Sequence, residues 1–147
     1  YMVASVPWPY PENGAENYVN NVALPDMAKG IAWFWTIRRR EAPDELMGLI
    51  CLYDVEDNNR GFWLAPEFQG QGYMREASIA ATDYWFNTLN KPVLRAPKAA
   101  ANSRSRRISD SSGMRLIRTE KKAYVSGLLD SELWEITRDE WNARQVS

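Results

Sequence analysis

Between Arg60 and Leu89 the chain changes its hydrophobic period, and it does so across a loop that carries two glycines. Arg60 to Leu64 reads as a short strand. From Gly72 to Leu89, apolar residues at Met74, Ala77, Ala81, Tyr84/Trp85 and Leu89 keep helical spacing, and Pro92 stops the run. The intervening stretch belongs to GFWLAPEFQGQGYMREA, residues 61–77, where Pro66, Gly70 and Gly72 separate strand from helix. A strand, a glycine loop and a helix in that order aim free backbone N–H groups, and the positive end of a helix dipole, at one point. Such a point is an anion site, most often for phosphate. The Walker pattern is absent, because no Lys-Ser/Thr follows the glycines. Gly70-x-Gly72 also lacks the third glycine of a dinucleotide fingerprint, with Arg75 in its place. On these residues alone, the loop is either a phosphate cradle or a plain turn before a helix.

The flanking elements supply a sheet for this unit. VPWPYP, with three prolines, must be extended or turned. A helix follows from about Pro11 to Ala23, with Ala15, Tyr18, Val19 and Val22 on one stripe, and Pro25 is expected to end it. Ile31–Ile37, with Trp33, Trp35 and Ile37 on one face, then Leu46–Tyr53 and Arg60–Leu64, read as an antiparallel meander. Glu56-Asp57-Asn58-Asn59 forms the second turn. Beyond the central helix come a short strand at Val93–Ala96, a helix at Asn102–Ser112 stopped by Gly113, and strands at Leu116–Val125 and Glu132–Thr137. Thr137-x-x-Glu140 is a capping box that opens a last helix carrying Trp141. The order αβββαβαββα is α+β with mixed sheet pairing, and 147 residues make one domain, residues 1–147.

Composition removes several chemistries. There is no histidine, which excludes Ser-His, Cys-His and His-metal mechanisms, and the single cysteine, Cys51, excludes an internal disulfide or a thiolate zinc site. No metal is expected. The longest apolar runs, such as Leu46–Tyr53, fall far short of the roughly 18 residues of a membrane span. No basic-then-apolar leader opens the chain, so a cytoplasmic location without a membrane partner is expected. The net charge of −1 hides an uneven distribution: within residues 91–122 ten basic residues face only Asp110 and Glu120, a net of +8. That cluster suits a phosphate-bearing partner or is a solvated basic face.

Gln69-Gly70-Gln71-Gly72-Tyr73-Met74 resembles the Q/R-x-x-G-x-G/A pyrophosphate loop of the GCN5-related N-acetyltransferases. Its context is similar to the branch of ribosomal-protein N-terminal acetyltransferases, a bacterial-type group. Asn102-x-x-Ser105 with Gly113-Met114 downstream resembles that branch's N-x-x-S…G-F helix, and VPWPYPENGAENYV, residues 6–19, resembles the P-Y-P…A opening of its second helix. The resemblance runs from about Val6 to Trp141. It implies the family's fold, a central mixed, mostly antiparallel sheet flanked by helices in three layers. The family's first strand and helix have no counterpart ahead of Tyr1, so the chain reads as N-terminally shortened.

The resemblance also implies acetyl-coenzyme A as co-substrate and a primary amine as acceptor, either a protein N-terminus or a small amine. The loop Gln69, Gly70, Gln71, Gly72, Tyr73, Met74 and Arg75 would hold the pyrophosphate. The strand ending at Leu64 would pair with the pantetheine arm and offer an N–H to the thioester carbonyl. Asn102 would hydrogen-bond the pantetheine or its supporting backbone, and Ser105 matches the general acid that protonates the leaving thiolate. The basic segment would then serve the 3′-phosphate. Three departures stand out: Met74 replaces a small residue and would crowd the pyrophosphate, Asn59 replaces a glutamate that is a candidate base, and Ser109 occupies the place of an acidic tyrosine. Asp54 and Glu56 are the nearest alternative bases in sequence. Without a base, a weakly basic α-amine is the expected acceptor.

Plainer readings stand beside these. Ser105 is otherwise an ordinary helix serine like Ser103, Ser109, Ser111 and Ser112. Trp33, Trp35 and Trp63 are sheet-face residues, Cys51 is buried and inert, and Glu76 complements the helix dipole. The alternative functions are a coenzyme-A-binding module with little or no catalysis, and a basic nucleic-acid-binding domain on residues 91–122. Nucleic acid is the weaker expectation, because no clear stacking aromatics accompany the charges. A bare sheet edge would favour a homodimer.

Overall fold

The computed structural model describes residue 2 and residues 5–146, with side chains through residue 144. Pro25 does not end the first helix. Helix α1 (Gly14–Tyr18) passes through a π-helical turn, Val19–Ala23, into α2 (Leu24–Lys29). Pro25 sits at the start of α2, where the ladder has just changed register and a missing N–H costs least. Termination falls to Gly30, left-handed at φ 70°, whose N–H caps the Met27 carbonyl at 3.0 Å.

Strands β1 (Ala32–Ile37), β2 (Gly48–Tyr53) and β3 (Arg60–Leu64) form the expected antiparallel meander. Helix α3 (Tyr73–Asp83) follows and continues through a second π-helical turn, Tyr84–Thr88. Then come β4 (Val93–Ala99), α4 (Ser103–Ser111), β5 (Arg115–Tyr124), β6 (Gly127–Thr137) and α5 (Arg138–Val146), with β6 between β4 and β5 in an antiparallel second sheet. The last strand begins five residues earlier than its apolar pattern indicates. Its early pairing is held by backbone bonds and by the Lys121–Asp130 and Tyr124–Ser131 contacts rather than by apolar side chains, with Leu128 exposed at the hairpin tip.

One face of each sheet carries the core. Trp33 and Trp35 meet Trp85 and Tyr84 edge-on, at ring separations of 6.3 and 5.2 Å, so both tryptophans are sheet-face packing residues. Ile50, Leu52, Leu94, Ala96, Trp134 and Ile136 complete the sheet side, and Met74, Ala81, Trp85, Phe86 and Trp141 cover it. The capping box forms as the sequence predicts: Thr137 Oγ1 accepts from the Glu140 N–H at 3.3 Å, and Glu140 Oε2 accepts from the Thr137 N–H at 2.8 Å. Every ladder within the two sheets is antiparallel. The mixed pairing reduces to the junction of β3 with β4.

At that junction the Asn59 N–H donates to the Arg95 carbonyl at 2.7 Å, and no backbone bond follows beyond it. On β3, the Tyr53 N–H bonds to the Asn59 carbonyl and the Ala65 N–H to the Met47 carbonyl. Ladder alternation therefore turns the backbone groups of Phe62 and Leu64 away from β2, toward β4. On β4, the Ala100 N–H bonds to the Asp130 carbonyl, so the backbone of Arg95, Pro97 and Ala99 faces β3. Pro97 has no N–H to offer across that gap, and a proline inside a strand is tolerated only on such an unpaired edge. The two strands thus diverge from Asn59 and Arg95 as a wedge that opens toward Leu64 and Ala99.

The second sheet also buries a cation. Lys98, opposite Glu132 in the ladder, is 7% exposed; its Nζ donates to the Ala96 carbonyl at 3.3 Å and lies 5.7 Å from the centre of the Trp134 ring. Burial first, and then the Arg60 guanidinium, push its pKa down to about 7, against a smaller pull upward from Glu132. An unfolded lysine keeps its proton up to its ordinary value, so between about 7 and that value the unfolded state binds more protons than the folded one. Stability from this site therefore rises with pH across that window. Lys98→Met is expected to raise Tm at pH 6, with the gain shrinking as pH approaches 10. Thermal melts of both proteins across that range check it, and a gain independent of pH would contradict it.

Candidate active site

The wedge opens into a cleft of about 670 Å³, lined from the end of β3, the glycine loop, the turn after β4 and the starts of α3 and α4. Gly70 and Gly72 hold φ of 77° and 90°, conformations that side-chain-bearing residues rarely adopt, and Gly72 is the N-cap of α3. A Cβ placed on either glycine would meet no protein atom within 4 Å. The glycines therefore serve backbone conformation and open space over the loop, not packing. Glu76 N–H is the first to find a carbonyl, that of Gly72 at 3.0 Å. The N–H groups of Gly70 through Arg75 have no acceptor among the described residues. With the start of α3, they form a cradle of donors for an anion.

A second helix start faces the same cleft. Asn102 caps α4, its Oδ1 accepting from the Ser105 N–H at 3.2 Å. That bond fixes the first turn of α4 and with it Ser105, which is half-buried on the cleft wall and whose hydroxyl has no partner among the described residues. Arg104 and Arg107 line the wall from the same helix, and Arg75 from the first turn of α3. No carboxylate lines the cleft. Two helix N-termini, three guanidinium groups and a row of free N–H groups give it a positive character, matched to a phosphorylated ligand.

Leu64, Gln69, Gly70, Gly72, Tyr73, Met74, Arg75, Asn102 and Ser105 all line this cleft. Gln71 does not. Its side chain turns back to the Glu67 carbonyl at 2.9 Å and braces the loop instead. Met74 packs into the core at 8% exposure, so its bulk is directed away from the loop's open face rather than onto an anion held there. Gln69 bridges the mouth: its Nε2 donates to the Leu64 carbonyl at 2.7 Å, and its Oε1 accepts from Arg104. The Leu64 and Phe62 N–H groups remain open on the wedge edge.

The other expectations sort by place. Ser109 is fully buried and outside the lining, its hydroxyl unpartnered. Asp54 and Glu56 lie in the turn before β3, at the closed end of the wedge, and Asp54 is held by Lys91 at 2.8 Å. Neither reaches the cleft. Cys51 is buried, and burial pushes its thiol up. Trp63 departs from the sheet-face reading, being half exposed and on the cleft wall. Glu76, in the first turn of α3, borders a separate groove of about 430 Å³ between β1 and α3.

The basic run of residues 91–122 does not form one positive surface. Arg95 pairs with Asp57 and Glu135, Arg106 with Glu132, Arg115 with Glu135 and Glu140, Arg118 with Asp57 and Glu120, and Lys121 with Asp130. Its carboxylate partners are mostly remote in sequence, which is why the run looks unpaired in a linear reading. Arg104 and Arg107 are the basic residues of this run that line the cleft. Sequence reasoning did not single them out, nor Phe62 or Ile108. Helical spacing was the available signal, because 104, 105, 107 and 108 share one face of α4.

Residues 1–115 match the family model described as the acetyltransferase (GNAT) domain. YdaF of Bacillus subtilis (strain 168), a candidate ribosomal N-acetyltransferase, is 28% identical over 68% of this chain. The match spans 58% of that relative's length. A variant of the spermidine N-acetyltransferase SpeG from Vibrio cholerae superposes with a TM-score of 0.77 at 18% identity, over 90% of this chain and 80% of that one. A candidate ribosomal-protein-serine acetyltransferase from Vibrio cholerae superposes with a TM-score of 0.71 at 19% identity, over 87% and 76%. At these identities the superpositions speak to the fold.

Proposed function

The chain belongs to the GNAT acetyltransferase family, and from that premise we propose that it moves the acetyl group of acetyl-coenzyme A to a primary amine by direct attack. The observation that carries this reading is the cradle of unpaired N–H groups from Gly70 to Arg75, set at the mouth of a wedge whose β3 edge still has open N–H groups. The donor set fits coenzyme A. Gly70, Gly72, Tyr73, Met74 and Arg75 would hold the pyrophosphate through backbone N–H groups. Arg104 and Arg107 would meet the remaining phosphate charge. The N–H groups of Phe62 and Leu64 would face the pantetheine arm and the thioester carbonyl.

The thioester supplies an activated acyl carbon. The chain's residues orient it and manage two protons. An amine nitrogen forms the new C–N bond as the C–S bond breaks, and Ser105 would donate its proton to the departing sulfur and regain one from water. The proton shed by the amine finds no carboxylate and no imidazole in the cleft lining, so the reading assigns it to water. An acetyl-coenzyme A turnover screen over peptides with free N-termini, polyamines and small amines tests the whole proposal. Coenzyme A binding without turnover of any amine would leave the binding-module alternative.

Cofactor placement has its own test. Gly72→Val imposes a β-branched side chain at φ 90°, which costs roughly 1–2 kcal/mol of backbone strain, and it fills the open space over the loop. Calorimetry is expected to show coenzyme A affinity reduced at least tenfold in the folded variant. Unchanged affinity would place the pyrophosphate elsewhere.

A further inference from the structure

We infer that Asn59 is a positioning residue for acetyl transfer: its carboxamide bolts the closed end of the β3–β4 wedge and so sets where the β3 edge meets the thioester. The inference rests on the acetyl-transfer reading above.

Asn59 is 8% exposed, and all of its amide functions are used. Nδ2 donates to the carbonyls of Tyr53 at 3.1 Å and Val55 at 2.8 Å, while Oδ1 accepts from the Arg95 N–H at 2.8 Å. The backbone adds a fourth bond, from the Asn59 N–H to the Arg95 carbonyl at 2.7 Å. Two carbonyls and one N–H are what an amide's two donors and one acceptor can satisfy, and the flipped orientation would mismatch all three. The side chain therefore ties the turn before β3 to β4 where, among the described residues, a backbone bond joins the two sheets, beside the Arg95–Asp57 ion pair. Beyond it Pro97 supplies no donor, so nothing else in the backbone holds β3 at a fixed distance from β4. Phe62 lies three residues from the bolt, and its N–H is on the open edge. A shift of about 1 Å in a reacting geometry can cost 10²-fold in rate.

Placing a carboxylate at position 59 gives a test with opposite signs for two roles, a bolt and a base. Asn59→Asp keeps the acceptor for Arg95 but sets a carboxylate against two carbonyl oxygens. Protonation would restore one donor. The charged and titratable groups around the position are Tyr53, Asp54 with its Lys91 partner, and Arg95, which is paired with Asp57 and Glu135. Arg118 reaches Asp57 from β5, and Arg60 turns to the opposite sheet face, toward Thr82. If Asn59 is a bolt, kcat of Asn59→Asp relative to the natural protein falls as pH rises and the carboxylate ionises. The expected loss is about 10–100-fold at pH 8, with coenzyme A affinity kept within about threefold because the Gly70–Arg75 cradle is remote. Asn59→Ser, which keeps one donor and one acceptor, is expected to lose less than Asn59→Ala. A relative kcat that rises with pH would show a base at this position and overturn the inference.

Amide hydrogen exchange on the unaltered protein decides the matter if the variants do not fold. The Asn59 and Arg95 amides are expected to be protected, and those of Phe62 and Leu64 to exchange fast until coenzyme A is added. Equal exchange at all four would overturn the bolt. If the unaltered protein acetylates no amine, the activity reading fails, and this exchange pattern still judges the bolt on its own.

Discussion

Ser105→Ala is expected to lower kcat by about 10²–10⁴-fold, the range that a positioned general acid supplies, with little change in coenzyme A affinity. The split follows from placement. Ser105 stands on the α4 wall of the cleft with a free hydroxyl, whereas the N–H groups proposed to hold the pyrophosphate belong to the Gly70–Arg75 loop. The Asn102 cap accepts from the Ser105 backbone, not its side chain, so α4 keeps its first turn in the variant. Steady-state kinetics paired with calorimetry measure both quantities. A kcat within about threefold of the natural protein would remove Ser105 as the acid. Tyr73, whose phenol also stands on the cleft wall, would then be the next residue to replace.

A free α-amine is expected to be acetylated about two orders of magnitude faster than a lysine side chain at pH 7.5. Only a neutral amine attacks a thioester. A lysine of pKa about 10.4 is neutral in roughly one molecule per thousand at that pH, against about a third for an α-amine near 7.8. An enzyme with a base beside the acceptor could offset that difference. Here the cleft lining holds no carboxylate, and the chain has no histidine. Asp54 is paired with Lys91 at the far end of the wedge, and Asn59 is bonded through its whole amide. Two matched peptides make the comparison, one with a free N-terminus and no lysine, the other blocked at its N-terminus and carrying one lysine. Faster turnover of the blocked lysine peptide would contradict the expectation and point to a base outside the described lining.

The glycine loop was legible because its chemistry is local. A strand, two glycines and a helix start are set by neighbouring residues, so Gly70, Gly72 and the free N–H groups after them could be placed from residues 61–77 alone. Asn102 and Ser105 were legible for the same reason, since a cap and its third residue are one helical turn. Pro25 was misread because a proline's effect depends on the register of the helix around it, and the π-helical turn at Val19–Ala23 is not written in the apolar stripe. Gln71 was misread because its backbone sits in the loop while its side chain finds Glu67.

Charge gave the clearest separation between the two levels. In sequence, residues 91–122 carry a net of +8, and in space most of those cations meet carboxylates from β6, from the turn before β3 and from α5. The order of strands and helices, the phosphate-type loop and the absence of histidine chemistry were legible because each depends on composition or on residues within about one turn or one strand of each other. Long-range packing settles that the backbones of β3 and β4 bond only at Asn59 and Arg95 among the described residues, that Pro97 faces the resulting gap, and that Arg104 and Arg107 are the cations of that run on the cleft wall. Those facts depend on which strand edges and helix faces are brought together by long-range packing, and no local spacing encodes that.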